Sequence, residues 1–232
     1  DFYEPIILRG EQPEAHIKSL KILKSNYFLL NTSIMGAGKT KMSGKLIQDF
    51  PKVESHITDN NFRNGIVHDY IKNNNMEGIK HVIVIGQNDM GARTWTNLFS
   101  EHYVVHSKLG LNKEIDGYIT FSKLVGGQRK SGNIYDKKGR EILTNGILTR
   151  TKKNKVTQFF ATPYLKKMIE EGLIIIGDEI SNTKNRKTLA FKAFATITRY
   201  VRDYVKNNPN NKSRIVMLSG TPNISINELV DW

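Results

Sequence analysis

Ser33-Ile34-Met35-Gly36-Ala37-Gly38-Lys39-Thr40 follows the apolar run Tyr27-Phe28-Leu29-Leu30 and leads into a helix-like segment from Lys41 to Phe50. Residues of these types at this spacing suit the binding of phosphate. A strand delivers the chain to a turn, glycines let the backbone come close to an anion, and the next helix opens with unpaired N–H groups and a positive dipole end. Lys39 would reach the β- and γ-phosphates of a nucleotide, and Thr40 would offer its hydroxyl to Mg²⁺. The general pattern has Gly five residues before the Gly-Lys pair, where this chain has Ser33.

A second chemical signal is the run Leu173-Ile174-Ile175-Ile176-Gly177, which ends in Asp178-Glu179. An all-apolar run suits a parallel strand covered on both faces, and two carboxylates at its end suit a metal ion and a water. Asp178 would hold Mg²⁺ directly or through water, while Glu179 would orient and deprotonate the attacking water. The plainer role for the same two residues is capping the helix that follows.

These groups need a scaffold that brings strand ends together, and the chain alternates strands and helices as such a scaffold requires. Ile6 to Gln12 precede Pro13 and a helix carrying Ile17, Leu20, Ile22 and Leu23 that ends near Asn26. Gln12, just ahead of that helix, has an amide able both to donate and to accept, as reading an adenine edge requires. After Pro51, the residues Ile57, Phe62, Ile66, Val67, Tyr70 and Ile71 keep helical spacing up to Asn73-Asn74-Asn75. His81 to Ile85 reads as a buried strand, followed by the polar loop Gly86 to Asp89 and a helix with Trp95, Leu98 and Phe99. Tyr103-Val104-Val105 is a short strand candidate, and Gly117 to Lys123 a strand running into a polar turn. Thr162-Pro163 opens a helix that ends before Gly172, Lys187 to Val205 is an amphipathic helix, and Ile215 to Leu218 is the last buried strand. That strand delivers Ser219-Gly220-Thr221-Pro222, whose hydroxyls could sense what the Asp178-Glu179 site holds. Strand, loop and helix in alternation predict an α/β domain with three layers and a mostly parallel sheet that binds ligands at its strand C-termini.

Between Gly126 and Lys155 the pattern changes, with glycines punctuating short alternating pieces, so hairpins are expected. Arg129, Lys130, Lys137, Lys138, Arg140, Arg150, Lys152, Lys153 and Lys155 face only Asp136 and Glu141 as acids there. Such a run is either a solvated surface or a grip on nucleic-acid phosphates. The whole chain has 232 residues and a net charge of +13, which points to a polyanionic partner, nucleic acid before acidic membrane. It has no cysteine, which excludes disulfides, thiolate catalysis and Cys-based metal sites. No apolar run approaches the length of a membrane span and no signal-peptide pattern opens the chain, so the expectation is a cytoplasmic or nuclear setting with no membrane partner. The Asn- and Lys-rich composition fits an AT-rich genome such as that of a large DNA virus or a phage.

Arg9-x-x-Gln12, Met35-Gly36-Ala37-Gly38-Lys39-Thr40, Asp178-Glu179-Ile180-Ser181 and Ser219-Gly220-Thr221-Pro222 stand in the order found in superfamily 2 helicases and translocases. The chain resembles the first of the two RecA-like P-loop motor domains of that superfamily over nearly its whole length, 1–232, with a basic hairpin-rich insertion at 126–157. The resemblance implies ATP and Mg²⁺ as cofactors. Arg9, Gln12, Ser33, Gly36, Ala37, Gly38, Lys39 and Thr40 would then bind nucleotide, and Thr40 and Asp178 the metal. Lys39 and Glu179 would be catalytic, and Ser219 and Thr221 would couple hydrolysis to strand binding. Gly86 to Arg93 and Thr120 to Lys123 resemble the nucleic-acid-contacting loops of the superfamily, which makes Gln87, Arg93, Thr120 and Lys123 candidate contacts beside Arg129, Lys130, Lys137, Lys138 and Arg140.

Ile180-Ser181 departs from the Ala-His or Ala-Asp of many helicases, while Arg9-x-x-Gln12, Trp95 and the Gly-Thr-Pro form of the third motif resemble DNA translocases and remodellers. DNA is therefore favoured over RNA as partner, although phosphate contacts themselves do not distinguish the two. The chain opens on Asp1 without Met and has ten residues after Pro222, so a second RecA-like domain carrying the arginine finger is expected outside it. The alternative function left open is a nucleic-acid-binding structural or transcription-factor subunit with weak ATPase.

Overall fold

Five strands lie side by side and parallel in one sheet. They are β1 (Phe28–Asn31), β2 (His81–Gly86), β3 (Tyr118–Thr120), β8 (Leu173–Gly177) and β9 (Arg214–Leu218), in the spatial order β1-β9-β8-β2-β3. This computed structural model describes residues 6–32, 36–50, 79, 81–102, 118–126, 134–135, 141–144, 147–153, 156–179 and 187–220. The expected helix between Ile57 and Ile71 and the strand at Tyr103-Val104-Val105 lie outside those residues.

Side chains alternate across this sheet with the period of two that a strand imposes. Val82, Val84, Ile174, Ile176, Val216 and Leu218 face one side, where they pack with Leu23, Leu46, Trp95 and Leu98. Ile83, Ile85, Leu173, Ile175, Ile215 and Met217 face the other, against Leu165, Met168, Phe194, Ile197 and Val201. Both faces are therefore covered, which is why β8 and β9 are buried at every position. Each fully buried Ile or Leu contributes roughly 1.5–3 kcal/mol, so a charge placed at Ile176 would remove one such contribution and add an unpaired ion.

The helices on the first side are α1 (Gln12–Ser25), α2 (Lys39–Asp49) and α3 (Asp89–His102). On the second side lie α4 (Phe121–Leu124), α5 (Pro163–Glu171) and α6 (Leu189–Asn207). Helix starts follow local chemistry. Pro13 occupies the first turn of α1, and the hydroxyls of Thr120, Thr162 and Thr188 cap α4, α5 and α6 by accepting from Lys123, Leu165 and Phe191 N–H groups. Gly44 of α2 has no Cβ, and one placed there would sit 2.7 Å from Ile6 Cδ1 and 2.8 Å from Leu98 Cδ2, so α2 packs closely only with glycine.

A second, antiparallel sheet runs β4 (Ile134–Tyr135), β5 (Glu141–Thr144), β6 (Leu148–Lys153) and β7 (Val156–Ala161). Hairpins are thus present where the sequence predicts them. Leu148, Phe159 and Ala161 bury one face of this sheet in the main core, while Val156 and Phe160 stay exposed on the other.

Four local expectations are corrected. β7 carries no strand signal in the sequence because Thr157 and Gln158 interrupt its apolar pattern. The predicted strand into Lys123 ends at Thr120, where the threonine cap turns the chain into α4. α2 starts at Lys39, two residues before the expected Lys41, because the helix is entered directly from Gly38. In α1 the apolar Ile17 and Ile22 are exposed, and His16, Ser19 and Leu23 take the buried face. His16 is accommodated because its Nε2 lies 2.8 Å from Asp49 Oδ2, an oxygen also 3.3 Å from Lys45 Nζ, so a polar pair links α1 to α2.

Candidate functional site

The C-terminal ends of the parallel strands are level with one another. Asn31 pairs with Leu218, Met217 with Gly177, Gly177 with Ile85, and Gly86 with Thr120. The residues that follow these positions therefore emerge along one edge of the sheet. They are the phosphate loop after β1, Ser219 after β9, Asp178 and Glu179 after β8, Gln87 after β2 and the start of α4 after β3. β9 separates β1 from β8, so the loop and the acid pair stand two strand spacings apart, roughly 10 Å.

In the phosphate loop, Gly36 and Gly38 have φ of 84° and 76°, and Gly38 is the N-cap of α2. Gly38 has no side chain with which to cap this helix, and a helix start with its positive dipole end is a place that favours an anion. A Cβ on Gly38 would meet Gln12 Nε2, so glycine is required there by conformation and by space. Lys39 and Thr40 are half-buried in the first turn of α2. Ser33 lies outside the described residues.

Gln12 is fastened to this loop. Its Nε2 donates to Ala37 O at 2.8 Å, its Oε1 accepts from Arg9 N at 3.0 Å, and its own N–H donates to Arg9 O at 3.1 Å. Arg9 thus serves through its backbone, with its side chain exposed. One amide proton and one lone pair of Gln12 are committed to the protein, and the second of each is what an adenine edge would use.

Asp178 is held at both backbone and side chain. Its N–H extends the ladder to Ile85 O at 2.7 Å, and its Oδ2 accepts from the indole Nε1 of Trp95 at 2.8 Å. Glu179 is exposed and takes φ of 52°, the one non-glycine with positive φ among the described residues. That left-handed conformation costs a residue with a side chain about 1–2 kcal/mol and needs support from its surroundings. The carbonyl of Glu179 accepts from Gln87 Nε2 at 3.2 Å.

Ser219 is buried between the two motifs, and its N–H donates to Asn31 O at 3.0 Å, extending the β1–β9 ladder past the strand ends. Gln87, Thr120 and Lys123 stand at the same edge of the sheet, and Arg93 is exposed on α3. The Thr120 hydroxyl accepts from Lys123 N at 3.2 Å and is buried, so its visible work is capping, while Lys123 projects into solvent. Thr221, Arg129, Lys130, Lys137, Lys138 and Arg140 lie outside the described residues.

The residues present fit a nucleoside triphosphate with Mg²⁺. The uncapped helix start and the glycine that leaves room beside Gln12 could hold phosphates, and Thr40 with Asp178 could hold the metal. Among the described residues no group of three or more His, Cys, Asp or Glu could form a metal cage. A single carboxylate and a hydroxyl are the sparse donor set that Mg²⁺ accepts when phosphates and waters complete its shell.

Sequence reasoning did not anticipate the contacts of Trp95 and Gln87 with the acid pair. In the sequence Trp95 stands as an apolar helix residue and as a point of likeness to DNA translocases, and nothing local marks a partner 83 positions away.

No family model matches the chain, and no curated protein matches it. Among solved structures it is similar to the SWI2/SNF2 ATPase core of Sulfolobus solfataricus in complex with dsDNA, at 17% identity and a TM-score of 0.49. That similarity covers 100% of this chain and 36% of the other, so this chain spans little more than a third of that protein's length. Among the described residues, no helix is long and apolar enough to cross a membrane.

Proposed function

We propose that this chain is the first motor domain of a superfamily 2 helicase or translocase, hydrolysing ATP with Mg²⁺ and coupling that hydrolysis to movement along nucleic acid. The observation that carries this reading is the emergence of an uncapped Gly38-Lys39-Thr40 helix start and the Asp178-Glu179 pair at one edge of a parallel sheet, with a single strand between them. Bound there, ATP would supply the phosphoanhydride and Mg²⁺ would neutralise its charge. Lys39 and the N–H groups at the start of α2 bind the phosphates. Asp178 and Thr40 would hold the Mg²⁺, and the Glu179 carboxylate would take a proton from the attacking water. Ser219, buried between the loop and the acid pair, would couple the two. Gln87, Arg93 and Lys123, with the basic residues between Arg129 and Arg140, supply the polar and cationic groups for a phosphate backbone. The net charge of +13 supports that partner, with DNA favoured over RNA by the likeness of the motifs to translocases.

The test is ATP turnover by the full-length protein with and without DNA or RNA. Turnover that rises when nucleic acid is added supports the motor. Negligible turnover both with and without nucleic acid overturns it.

A further inference from the structure

The segment from Gln87 to Trp95 reaches across to both members of the acid pair. Gln87, in the turn after β2, donates its amide proton to Glu179 O at 3.2 Å, and Trp95, two turns into α3, donates its indole proton to Asp178 Oδ2 at 2.8 Å. We infer that Trp95 and Gln87 are positioning residues for hydrolysis. Trp95 aims the metal-side carboxylate, and Gln87 holds the catalytic glutamate in its left-handed conformation. This inference rests on the ATPase reading given above.

The chemistry of the two contacts differs. An indole N–H only donates, so Oδ2 of Asp178 is fixed as the acceptor and Oδ1 is left toward the metal. Trp95 is itself almost wholly buried at 1% exposure, which locks the ring and with it the direction of the bond. Such partners of a metal-binding carboxylate set its orientation. Glu179, by contrast, is touched at its backbone. With φ of 52° it sits in a region that residues with side chains leave when external support is removed, and Gln87 supplies that support from the turn after β2.

The segment that makes both contacts is itself fixed. Asn88 Oδ1 accepts from Met90 N at 3.1 Å and Gly91 N at 3.2 Å, capping α3, while Asn88 O accepts from Tyr118 Oη at 2.8 Å. Gly86 and Gly91 lack the Cβ atoms that would collide with the Tyr118 phenol. Strand β3 thus holds the loop, and the loop holds the acid pair.

The experiment uses the full-length protein with saturating nucleic acid and compares wild type, Trp95→Phe and Gln87→Leu. ATP turnover is titrated against both ATP and Mg²⁺. Mn²⁺ affinity in the presence of a non-hydrolysable ATP analogue is read by electron paramagnetic resonance. Trp95→Phe keeps a buried aromatic ring but removes the donor, so the Mg²⁺ midpoint and the Mn²⁺ dissociation constant should both rise about 10-fold while the ATP KM at saturating Mg²⁺ stays put. Gln87→Leu should lower kcat roughly 10- to 100-fold with the ATP KM and Mn²⁺ affinity unchanged. A purely structural role would move KM, kcat and metal affinity together, and that outcome overturns the inference. So do values within twofold of wild type in both folded variants. If Trp95→Phe fails to fold, Gln87→Leu, altered in a solvent-facing turn, decides by a fall in kcat with ATP KM, Mn²⁺ affinity and nucleic-acid affinity unchanged. A wild type that turns over no ATP overturns the ATPase reading and the inference with it, whereas an active wild type with indifferent variants overturns only the inference.

Discussion

Gln12 Nε2 donates a 2.8 Å hydrogen bond to Ala37 O, which ties the first turn of α1 to the phosphate loop. Replacing Gln12 with Glu keeps the length of the side chain and removes the donor, setting a carboxylate oxygen against a carbonyl oxygen and a negative charge beside the phosphate site. Losing a hydrogen bond of this kind and gaining repulsion costs about 1.5 kcal/mol or more, so the dissociation constant for ATP should rise at least about 10-fold. Titration with a fluorescent ATP analogue checks this. Unaltered affinity would mean that the Gln12–Ala37 contact does not shape the loop.

Arg214 opens the buried strand β9 with 5% exposure, yet its charge is well used. Its Nε donates to Leu23 O at 2.7 Å, its Nη1 donates to Asn211 O and Ser213 O at 2.9 Å and 2.8 Å, and its guanidinium lies 5.0 Å from the centre of the Phe50 ring. Leu23 lies in the last turn of α1, where carbonyls lack intrahelical partners and a cation is favoured. Arg214→Met should therefore destabilise the fold by roughly 2–4 kcal/mol, because it leaves carbonyls buried without donors. Arg214→Lys should recover only part, since an ammonium cannot fork to separate acceptors. Thermal and urea unfolding of the three proteins measure the difference. A melting temperature for Arg214→Met equal to that of wild type would sink this account.

The contrast between Arg214 and Ile176 shows what the sequence makes legible. Ile176 belongs to a run of apolar residues that can only be a covered strand, and the order of such runs yields the layers and the sheet edge where the motifs meet. The Gly36–Thr40 loop and Asp178-Glu179 stand out in the sequence for a similar reason, because residue types and spacing within a few positions are what suggest their proposed roles. Arg214, His16 and Trp95 are different. Each acquires its role from a partner far along the chain, at Leu23, Asp49 and Asp178 respectively, and a single sequence does not record which distant side chains meet. β7 was missed because its cover comes from α6 and the main core on one side only, leaving Thr157, Gln158 and the exposed Phe160 to blur the alternation.

Glu179 combines a proposed catalytic carboxylate with a left-handed backbone, so function and stability should separate there. Glu179→Gln preserves size and removes the base, and turnover should fall roughly 100- to 10,000-fold while ATP binding survives. Lys39→Ala, in comparison, should weaken binding and turnover together. Glu179→Gly should be as inactive as Glu179→Gln but about 1 kcal/mol more stable than Glu179→Ala, because glycine alone adopts φ of 52° without strain. Single-turnover kinetics and chemical unfolding on the same preparations provide both readings. An active Glu179→Gln protein would remove the assignment of the base. Equal stability of the Gly and Ala variants would show that the conformation carries no strain.

The basic residues between β3 and β5 give the nucleic-acid part of the proposal its sharpest test. If Arg129, Lys130, Lys137, Lys138 and Arg140 grip phosphates, each contact releases a condensed counterion, and the dependence of log affinity on log salt steepens by about one unit per contact. Replacing all five with Ala should then weaken binding about equally across unrelated sequences and flatten the salt slope by up to about five units. ATP affinity should be unchanged, because the phosphate loop at Lys39 uses other residues. Fluorescence anisotropy at a series of salt concentrations reads both quantities. If neither affinity nor slope moves, these cations are solvated surface, and the path of the strand must run along Gln87, Arg93 and Lys123 instead. Substituting Arg93 and Lys123 together, both exposed and neither needed for the core, would then carry the loss of binding and a change in slope of about two units.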